Sequence, residues 1–159
     1  MAPNALDEVR GCLDDSQKRA ERRRCREGKC SLRLKEVGDF LLVKGDLLRS
    51  DVKMCDCIIF LQTPAPTLVL AELKAKTVHA REVGEKMRNA VDTLADLIAR
   101  CPSFRACSRF LALALAKRWT RSERKMLEQE QVSFAGKEHD IRHVRCGARL
   151  SELLQRFLP

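Results

Sequence analysis

The fold is decided by residues 55–74, which read CDCIIFLQTPAPTLVLAELK. Two apolar runs in this stretch, residues 55–61 and 67–71, have the length and composition of β-strands. The segment between them, residues 62–66, carries two prolines and is typical of a turn. The stretch therefore predicts a β-hairpin.

A long helix and a buried strand follow this hairpin. Between residues 77 and 100, apolar side chains recur every three or four positions, which predicts one amphipathic helix that Pro102 closes. Residues 109–116 then form a continuous apolar run. Such a run is typical of a central strand that is covered on both faces.

The two ends of the chain add further elements. We expect one helix over residues 4–27, ended by Gly28, and then two short strands over residues 31–34 and 40–43. Beyond residue 116 we expect a polar helix or loop, a hairpin and a short terminal helix. The signals for the last two are strands at 132–134 and 141–144, a turn at Gly136, and Ser151 as a helix cap.

Together these elements predict an α/β fold in which helices flank a mixed β-sheet. A chain of 159 residues fits one domain that buries most of its apolar surface. We place the core of this single domain at about residues 5–116. A C-terminal extension of about residues 117–159 carries the last hairpin and helix.

The chain is strongly basic. Lys and Arg number 31 against 22 Asp and Glu, which gives a formal net charge of +9. A positive field of this kind attracts phosphate backbones, so a nucleic acid is the expected partner. The candidate contact residues are Lys18, Arg19, Arg22, Arg23, Arg24, Arg26, Lys53 and Lys76.

Composition also limits how a nucleic acid would be bound. Aromatic residues make up only 4% of the chain and Tyr is absent, so contacts to the backbone are expected rather than stacking on bases. Residues 16–29 are basic but lack an apolar stripe, which argues against binding to a membrane surface.

The cysteines are expected to be reduced thiols. Residues 1–10 carry acids and no apolar stretch, so we expect neither a signal peptide nor an anchor and place the protein in the cytoplasm. The eight cysteines are Cys12, Cys25, Cys30, Cys55, Cys57, Cys101, Cys107 and Cys146. A zinc or iron–sulfur site built from several of them is the alternative, but no C-x-x-C pair occurs.

Charged residues interrupt both strands of the predicted hairpin. Glu72 and Lys74 lie two positions apart, so in a strand their side chains share one face. Asp56 lies within an apolar strand, where an unpaired carboxylate is costly. Pairing of the strands brings Asp56 beside Glu72, and two adjacent carboxylates repel each other unless a cation lies between them. The sequence therefore predicts a divalent cation at this position.

These residue types suit phosphodiester hydrolysis. Carboxylate oxygens are hard ligands that favour Mg²⁺ or Mn²⁺, and such an ion orients a phosphodiester and activates a water molecule. Lys74 is placed to hold or deprotonate that water and to counter negative charge. We therefore expect Asp56, Glu72 and Lys74 to be the catalytic residues of a nuclease.

At these residues the chain resembles the PD-(D/E)xK, or restriction-endonuclease-like, superfamily of nucleases. The family signature is an Asp in one strand and Glu-x-Lys in the next, here Asp56 and Glu72-Leu73-Lys74. The resemblance implies a core of one helix, three strands, a helix and a strand (αβββαβ). It also implies a Mg²⁺-dependent enzyme in which Asp56, Glu72 and the Leu73 carbonyl bind the metal while Lys74 positions the water. DNA is the expected substrate and RNA the alternative.

The resemblance suggests further ligands and partners. Some members add an acidic residue from the first helix. Glu8 is the first candidate for this ligand, and Asp7 or Glu21 is the next. The surroundings of the motif, residues 53–60 and 69–74, look like those of small nucleases associated with defence or mobile elements. Such nucleases often act as dimers or beside another chain, so a homodimer or a larger protein partner is expected.

The chain departs from the family pattern on the helix after Lys74. Many members carry a Gln there, whereas this helix offers only His79 or Glu85 for that role. The alternative function is therefore a catalytically inactive nuclease fold that binds nucleic acid or acts as a scaffold. A Glu-x-Lys pattern is also common on solvated strand faces, where the ion pair contributes little.

Overall fold

The computed structural model describes residues 4–74 and 77–159. The helices in these residues are α1 (Ala5–Cys12), α2 (Asp15–Lys18), α3 (Gly45–Leu48), α4 (Ala80–Ala99), α5 (Pro102–Arg105), α6 (Arg121–Leu127) and α7 (Leu150–Phe157). The strands are β1 (Glu21–Arg22), β2 (Cys25–Glu27), β3 (Cys30–Leu32), β4 (Phe40–Lys44), β5 (Cys57–Leu61), β6 (Thr67–Lys74), β7 (Arg109–Ala116), β8 (Gln131–Phe134) and β9 (Lys137–Arg145).

Most of the strands form one mixed sheet with the order β1-β4-β5-β6-β7-β9-β8. Strands β4, β5 and β6 are antiparallel neighbours, whereas β6, β7 and β9 run parallel to one another. Parallel neighbours need a crossover connection, which α4 provides between β6 and β7. The predicted α/β fold with a mixed sheet flanked by helices is confirmed, as is the hairpin of β5 and β6.

Both faces of the sheet are covered, which explains why the central strands are apolar at nearly every position. On one face, Ile58 and Phe60 of β5 pack in a cluster with residues of α1, α4, α5 and α6. On the other face, Ile59 and Leu61 pack with residues of α7 and of the small β2–β3 hairpin. We refer to these as the α4 face and the α7 face.

The predicted helix over residues 4–27 is wrong beyond Cys12. The chain turns at Leu13, and Asp14 and Gln17 form a capping box that starts the short helix α2. Residues 21–22 and 25–27 then form strands. β1 pairs with β4, and β2 pairs with β3 through a tight turn at Gly28, whose φ of +58° suits glycine. The basic residues of this segment therefore do not lie on one helix.

The expectation of eight reduced thiols is wrong for four of them. Cys25 of β2 is bonded to Cys57 of β5, and Cys30 of β3 is bonded to Cys146 after β9. Both strands of the small hairpin are thus attached covalently to the α7 face. The free cysteines are Cys12, Cys55, Cys101 and Cys107. Among the described residues, the cysteines form no group that could hold a metal ion.

The C-terminal region differs from its prediction in two details. β8 pairs with residues 137–140 rather than 141–144, and the second half of β9 pairs with β7 instead. Helix α7 starts at Leu150 with Arg149 at its N-cap, so Ser151 does not cap it. No helix in the described part of the chain has the length and apolar character needed to cross a membrane.

We expect the Cys30–Cys146 disulfide to contribute strongly to stability. It joins residues 116 positions apart, and closing so long a loop restricts the unfolded chain by roughly 4 kcal/mol. The double substitution Cys30→Ala with Cys146→Ala is expected to lower the melting temperature by about 10 °C. Reduction, which also breaks Cys25–Cys57, should lower it by at least as much. Thermal unfolding with and without a phosphine reductant measures this effect.

A Cys12→Ser variant serves as the control, because Cys12 is a free thiol and its replacement leaves both disulfides intact. Three of the four free cysteines are buried, so alkylation is carried out in denaturant without reductant, where it should label only these four. Labelling of all eight, together with a melting temperature that ignores the reductant, would contradict the disulfide assignment.

Candidate active site

Asp56 and Glu72 meet at one end of the β5–β6 hairpin. Cys57 of β5 pairs with Ala71 of β6, so the next positions along the two strands, Asp56 and Glu72, are neighbours. The Asp56 amide donates a hydrogen bond to Glu72 Oε1 at 3.1 Å, and the Leu73 amide donates to Asp56 Oδ2 at 2.7 Å. Each carboxylate is therefore held by the backbone of the opposite strand.

The Glu72 carboxylate is enclosed and faces two ammonium groups. It is 0% exposed, and Lys86 Nζ on α4 lies 2.6 Å from its Oε2. Lys74 Nζ lies 3.7 Å from the same oxygen, as expected if Glu72 and Lys74 share a strand face. The side chains of Lys86 and Lys74 are 15% and 28% exposed, so both ammonium groups remain partly open to solvent.

Lys86 was missed by the sequence analysis. It lies between the buried residues Val83 and Met87 of α4, so its side chain borders the apolar stripe of that helix. A lysine at the border of a buried stripe is a detectable signal, because its ammonium group needs a carboxylate within reach. His79 and Glu85, which were the candidates to replace the family's Gln on this helix, are exposed, and neither forms a hydrogen bond or ion pair with Glu72.

The electrostatics of the site reflect two carboxylates in one enclosed place. Burial, and then the negative charge of Glu72, raise the pKa of Asp56 to about 7. Burial alone would lower the pKa of Lys86, but its hydrogen bond to Glu72 and the charge of Glu72 outweigh this and raise it. The pKa of Glu82 is lowered, chiefly by Lys86 and also by Lys74 and Lys53. Positive charge therefore collects around the acidic pair.

The donor set fits a hard divalent cation. The oxygens of Asp56 and Glu72 lie side by side, and a cation between them would relieve their mutual repulsion. In the described residues no third His, Cys, Asp or Glu completes a metal-binding group. Mg²⁺ and Mn²⁺ accept such an incomplete protein shell, because they keep several waters and bind phosphate oxygens. Zinc would need more protein ligands.

Three acids considered as a further ligand are placed elsewhere. The Glu8 carboxylate accepts hydrogen bonds from the backbone and the side chain of Ser103 in α5. Asp7 and Glu21 both pair with Arg10. The expectation that an acid of the first helix joins Asp56 and Glu72 is therefore wrong, because α1 packs against α5 instead.

The small hairpin brings a different acid close to the site. Glu27 Oε2 lies 2.9 Å from Lys44 Nζ, and Lys44 pairs with Cys57 in the sheet. The charge of Glu27 contributes, as a smaller cause, to the raised pKa of Asp56. The sequence pattern did not indicate that Glu27 lies near the site, because residues 21–27 were expected to be helical.

The predicted nucleic-acid contact residues that the structure describes all lie on the surface. The side chains of Lys18, Arg19, Arg22, Arg23, Arg24, Arg26 and Lys53 are exposed. Lys76 lies outside the described residues. Lys53 belongs to the surroundings of the site, since its carbonyl accepts a hydrogen bond from Asn89 of α4 and its charge affects Glu82.

Register extends the site across the sheet. Glu72 pairs with Ala114 of β7, which in turn pairs with His143 of β9. Two residues further along the strands, on the same face of the sheet, Lys74 pairs with Ala116, and Ala116 pairs with Arg145. Neighbouring strands are about 4.8 Å apart, so the β9 backbone lies about 10 Å from that of β6. His143 and Arg145 thus share the face and the strand end that carry the acidic pair.

Comparison with protein-family models, curated proteins and solved structures finds no match to this chain. The proposed function therefore rests on the geometry of the site.

We expect Lys86 to stabilise the fold by neutralising Glu72. In Lys86→Met the buried carboxylate keeps only the more distant Lys74, so the free energy of unfolding should fall by about 3 kcal/mol. Urea unfolding followed by circular dichroism in EDTA measures the loss.

Two further variants make this test specific. Adding Glu72→Gln to Lys86→Met removes the stranded charge and should restore much of the stability. Lys125→Met removes an exposed lysine of α6 and should change stability by less than about 0.5 kcal/mol. A Lys86→Met variant as stable as Lys125→Met would show that the Glu72–Lys86 pair contributes nothing.

Proposed function

We propose that the protein is a divalent-metal-dependent nuclease of the restriction-endonuclease-like type. The observation that carries this proposal is the adjacency of the Asp56 and Glu72 carboxylates, with Lys74 and Lys86 beside Glu72. With the short elements α2, β1, β2, β3, α3 and α5 set aside, the order α1, β4, β5, β6, α4, β7 supports it, because the family core runs helix, three strands, helix and strand. DNA is the proposed substrate and RNA the alternative.

Each residue of the site has a definite task in this proposal. Asp56 and Glu72 would hold Mg²⁺ or Mn²⁺, and the ion when bound would polarise the scissile phosphate and activate water. The Leu73 amide fixes the Asp56 carboxylate, which stays oriented before substrate arrives. The more exposed ammonium group, that of Lys74, holds the attacking water and counters negative charge on the phosphate. Lys86 pairs with the Glu72 carboxylate and fixes its orientation.

The surroundings of the site suit a polyanion. A net charge of +9 favours encounter with phosphate backbones, and the charge of Lys53 acts on Glu82, which pairs with Lys86. Arg145 occupies the same face two strands away. A phosphate chain passing over the end of the sheet would therefore meet cationic groups on both sides of the hydrolytic residues.

The enzymatic role is tested by cleavage of plasmid and single-stranded DNA in Mg²⁺ or Mn²⁺. Asp56→Ala should abolish cleavage by removing a metal ligand. Lys74→Ala should slow it by at least about 100-fold by removing the group that positions water. Activity is followed by gel electrophoresis and compared with reactions in EDTA.

Lys137→Ala is the matched control for loss of a lysine. Lys137 is exposed at the first position of β9, at the end of that strand opposite His143 and Arg145. Its removal should leave the rate within about twofold of the starting protein. Cleavage that persists undiminished in both Asp56→Ala and Lys74→Ala would remove this site from consideration.

The second candidate is a nuclease fold that binds nucleic acid without cleaving it. Lys86 favours it, because its ammonium group already neutralises Glu72 at 2.6 Å and so competes with a metal. The absence of a Gln on α4 points the same way. In this case the chain would bind nucleic acid, and Asp56 and Glu72 would serve only the structure.

Metal binding separates the two candidates without reference to activity. If the site is a metal centre, saturating Mn²⁺ should raise the melting temperature by several degrees, as expected for a ligand that binds only the folded state. The shift should disappear in Asp56→Ala and persist in Lys137→Ala. An equal shift in all three proteins, or none in any, would favour the binding module.

A further inference from the structure

A cavity of about 410 Å³ lies beside the small hairpin. Its apolar side chains are Leu32, Leu34 and Phe40, and it is also lined by Arg23, Arg24, Arg26, Arg33 and Lys35. The five basic side chains are exposed, while Phe40 and Leu34 are half-buried. The cavity therefore combines an apolar floor with a cationic rim. Its volume is in the range of sites for small organic ligands.

The rim carries charge that the protein does not neutralise. Among the residues that the structure describes, no carboxylate lines the cavity. Arg23, Arg24, Arg33 and Lys35 also make no ion pair in those residues, whereas Lys44 nearby is paired with Glu27. Four uncompensated cations around one opening favour an anionic ligand.

The cavity begins near the acidic pair and runs away from it. Its wall includes Cys25, whose Cα lies 5.9 Å from that of Cys57, the residue after Asp56. The Cα atoms of Cys25 and Asp56 are therefore at most about 10 Å apart, since consecutive Cα atoms are about 3.8 Å apart. Phe40 lies at the other end of β4 from Lys44, roughly 13 Å further along. The cavity is on the α7 face, whereas the acidic pair is on the α4 face.

We infer that this cavity binds an unpaired nucleotide of a nucleic-acid strand, with the base on Phe40 and the flanking phosphates on the arginines of the rim. The substrate class named here, single-stranded or locally unpaired nucleic acid, rests on the proposed nuclease function. An aromatic floor suits a base because every base has a flat face that stacks, and guanidinium groups bind phosphate oxygens. In a duplex the bases are already stacked on each other and cannot enter.

This inference departs from the sequence-based expectation that the chain lacks a stacking platform. That expectation came from the low aromatic content, but one half-buried aromatic surrounded by arginines is enough to accept one base. A strand held there would reach the Asp56–Glu72 end of the sheet within a few nucleotides.

The inference is tested by fluorescence anisotropy in EDTA, where no metal-dependent cleavage occurs. The probes are a labelled DNA strand of 12 nucleotides, an abasic strand of the same length, and a blunt-ended duplex. The wild-type protein should bind the normal strand at least about fivefold more tightly than the abasic strand, because stacking adds to phosphate contact. Phe40→Leu keeps an apolar side chain and should abolish this difference, whereas Phe40→Trp should retain it.

Charge substitutions test the rim separately. Arg33→Ala should lower the affinity for the normal and the abasic strand by the same factor. It should also reduce the slope of log affinity against log salt concentration by about 0.7. Lys137→Ala, which removes a positive charge far from the cavity, is the matched control. Melting temperatures of all variants verify that each one is folded.

Several outcomes would overturn the inference. These are equal binding of normal and abasic strands, a Phe40→Leu variant that behaves as wild type, or preference for the duplex. Displacement of the strand by polyaspartate but not by unlabelled DNA would assign the cavity to an acidic protein partner instead.

Failure of this inference and failure of the nuclease proposal are distinguishable. Metal-dependent cleavage that requires Asp56, with unchanged strand binding in Phe40→Leu, would remove the nucleotide cavity and leave the enzyme. Strand binding that depends on Phe40, without cleavage in any metal, would keep the cavity and remove the enzyme.

Discussion

The structure depends above all on a buried negative charge that is neutralised from two elements. Glu72 is fully enclosed, and its carboxylate is held by Lys86 from α4 and approached by Lys74 from its own strand. A carboxylate in such a place is tolerated only when cations and hydrogen-bond donors satisfy it. This interaction fixes how α4 lies against the end of β6, and it places Asp56 where the Glu72 carboxylate accepts a hydrogen bond from its amide.

The small side chains of β7 give this charged group its setting. Ala114 and Ala116 lie between the Glu72 and Lys74 positions on β6 and the His143 and Arg145 positions on β9. A larger residue at either alanine would stand between the two sets of functional groups. Leu and Ala alternate in β7, so each face of the sheet receives one residue type. The leucines fill the α7 face, and the small alanine side chains leave space on the α4 face.

Local pattern was enough to predict much of the fold. The β5–β6 hairpin, helix α4 and strand β7 follow from apolar periodicity, and the alternation of strand faces placed Asp56, Glu72 and Lys74 together. What could not be predicted depends on contacts distant in sequence. Lys86 joins the site only because α4 crosses β6. The strands β1 and β2 form where a basic helix was expected, because β1 pairs with β4 and Cys25 of β2 is bonded to Cys57, 32 positions along the chain.

The pairing of β9 with β7 has a consequence for how the chain can be divided. The extension supplies the strand that covers one edge of β7, and β7 is buried at nearly every position on both faces. A fragment ending near residue 116 would present that edge as an open row of amide and carbonyl groups on an apolar strand, which is a template for aggregation. Motif boundaries and folding boundaries therefore do not coincide in this protein, and shortened versions designed around the motif alone would be insoluble.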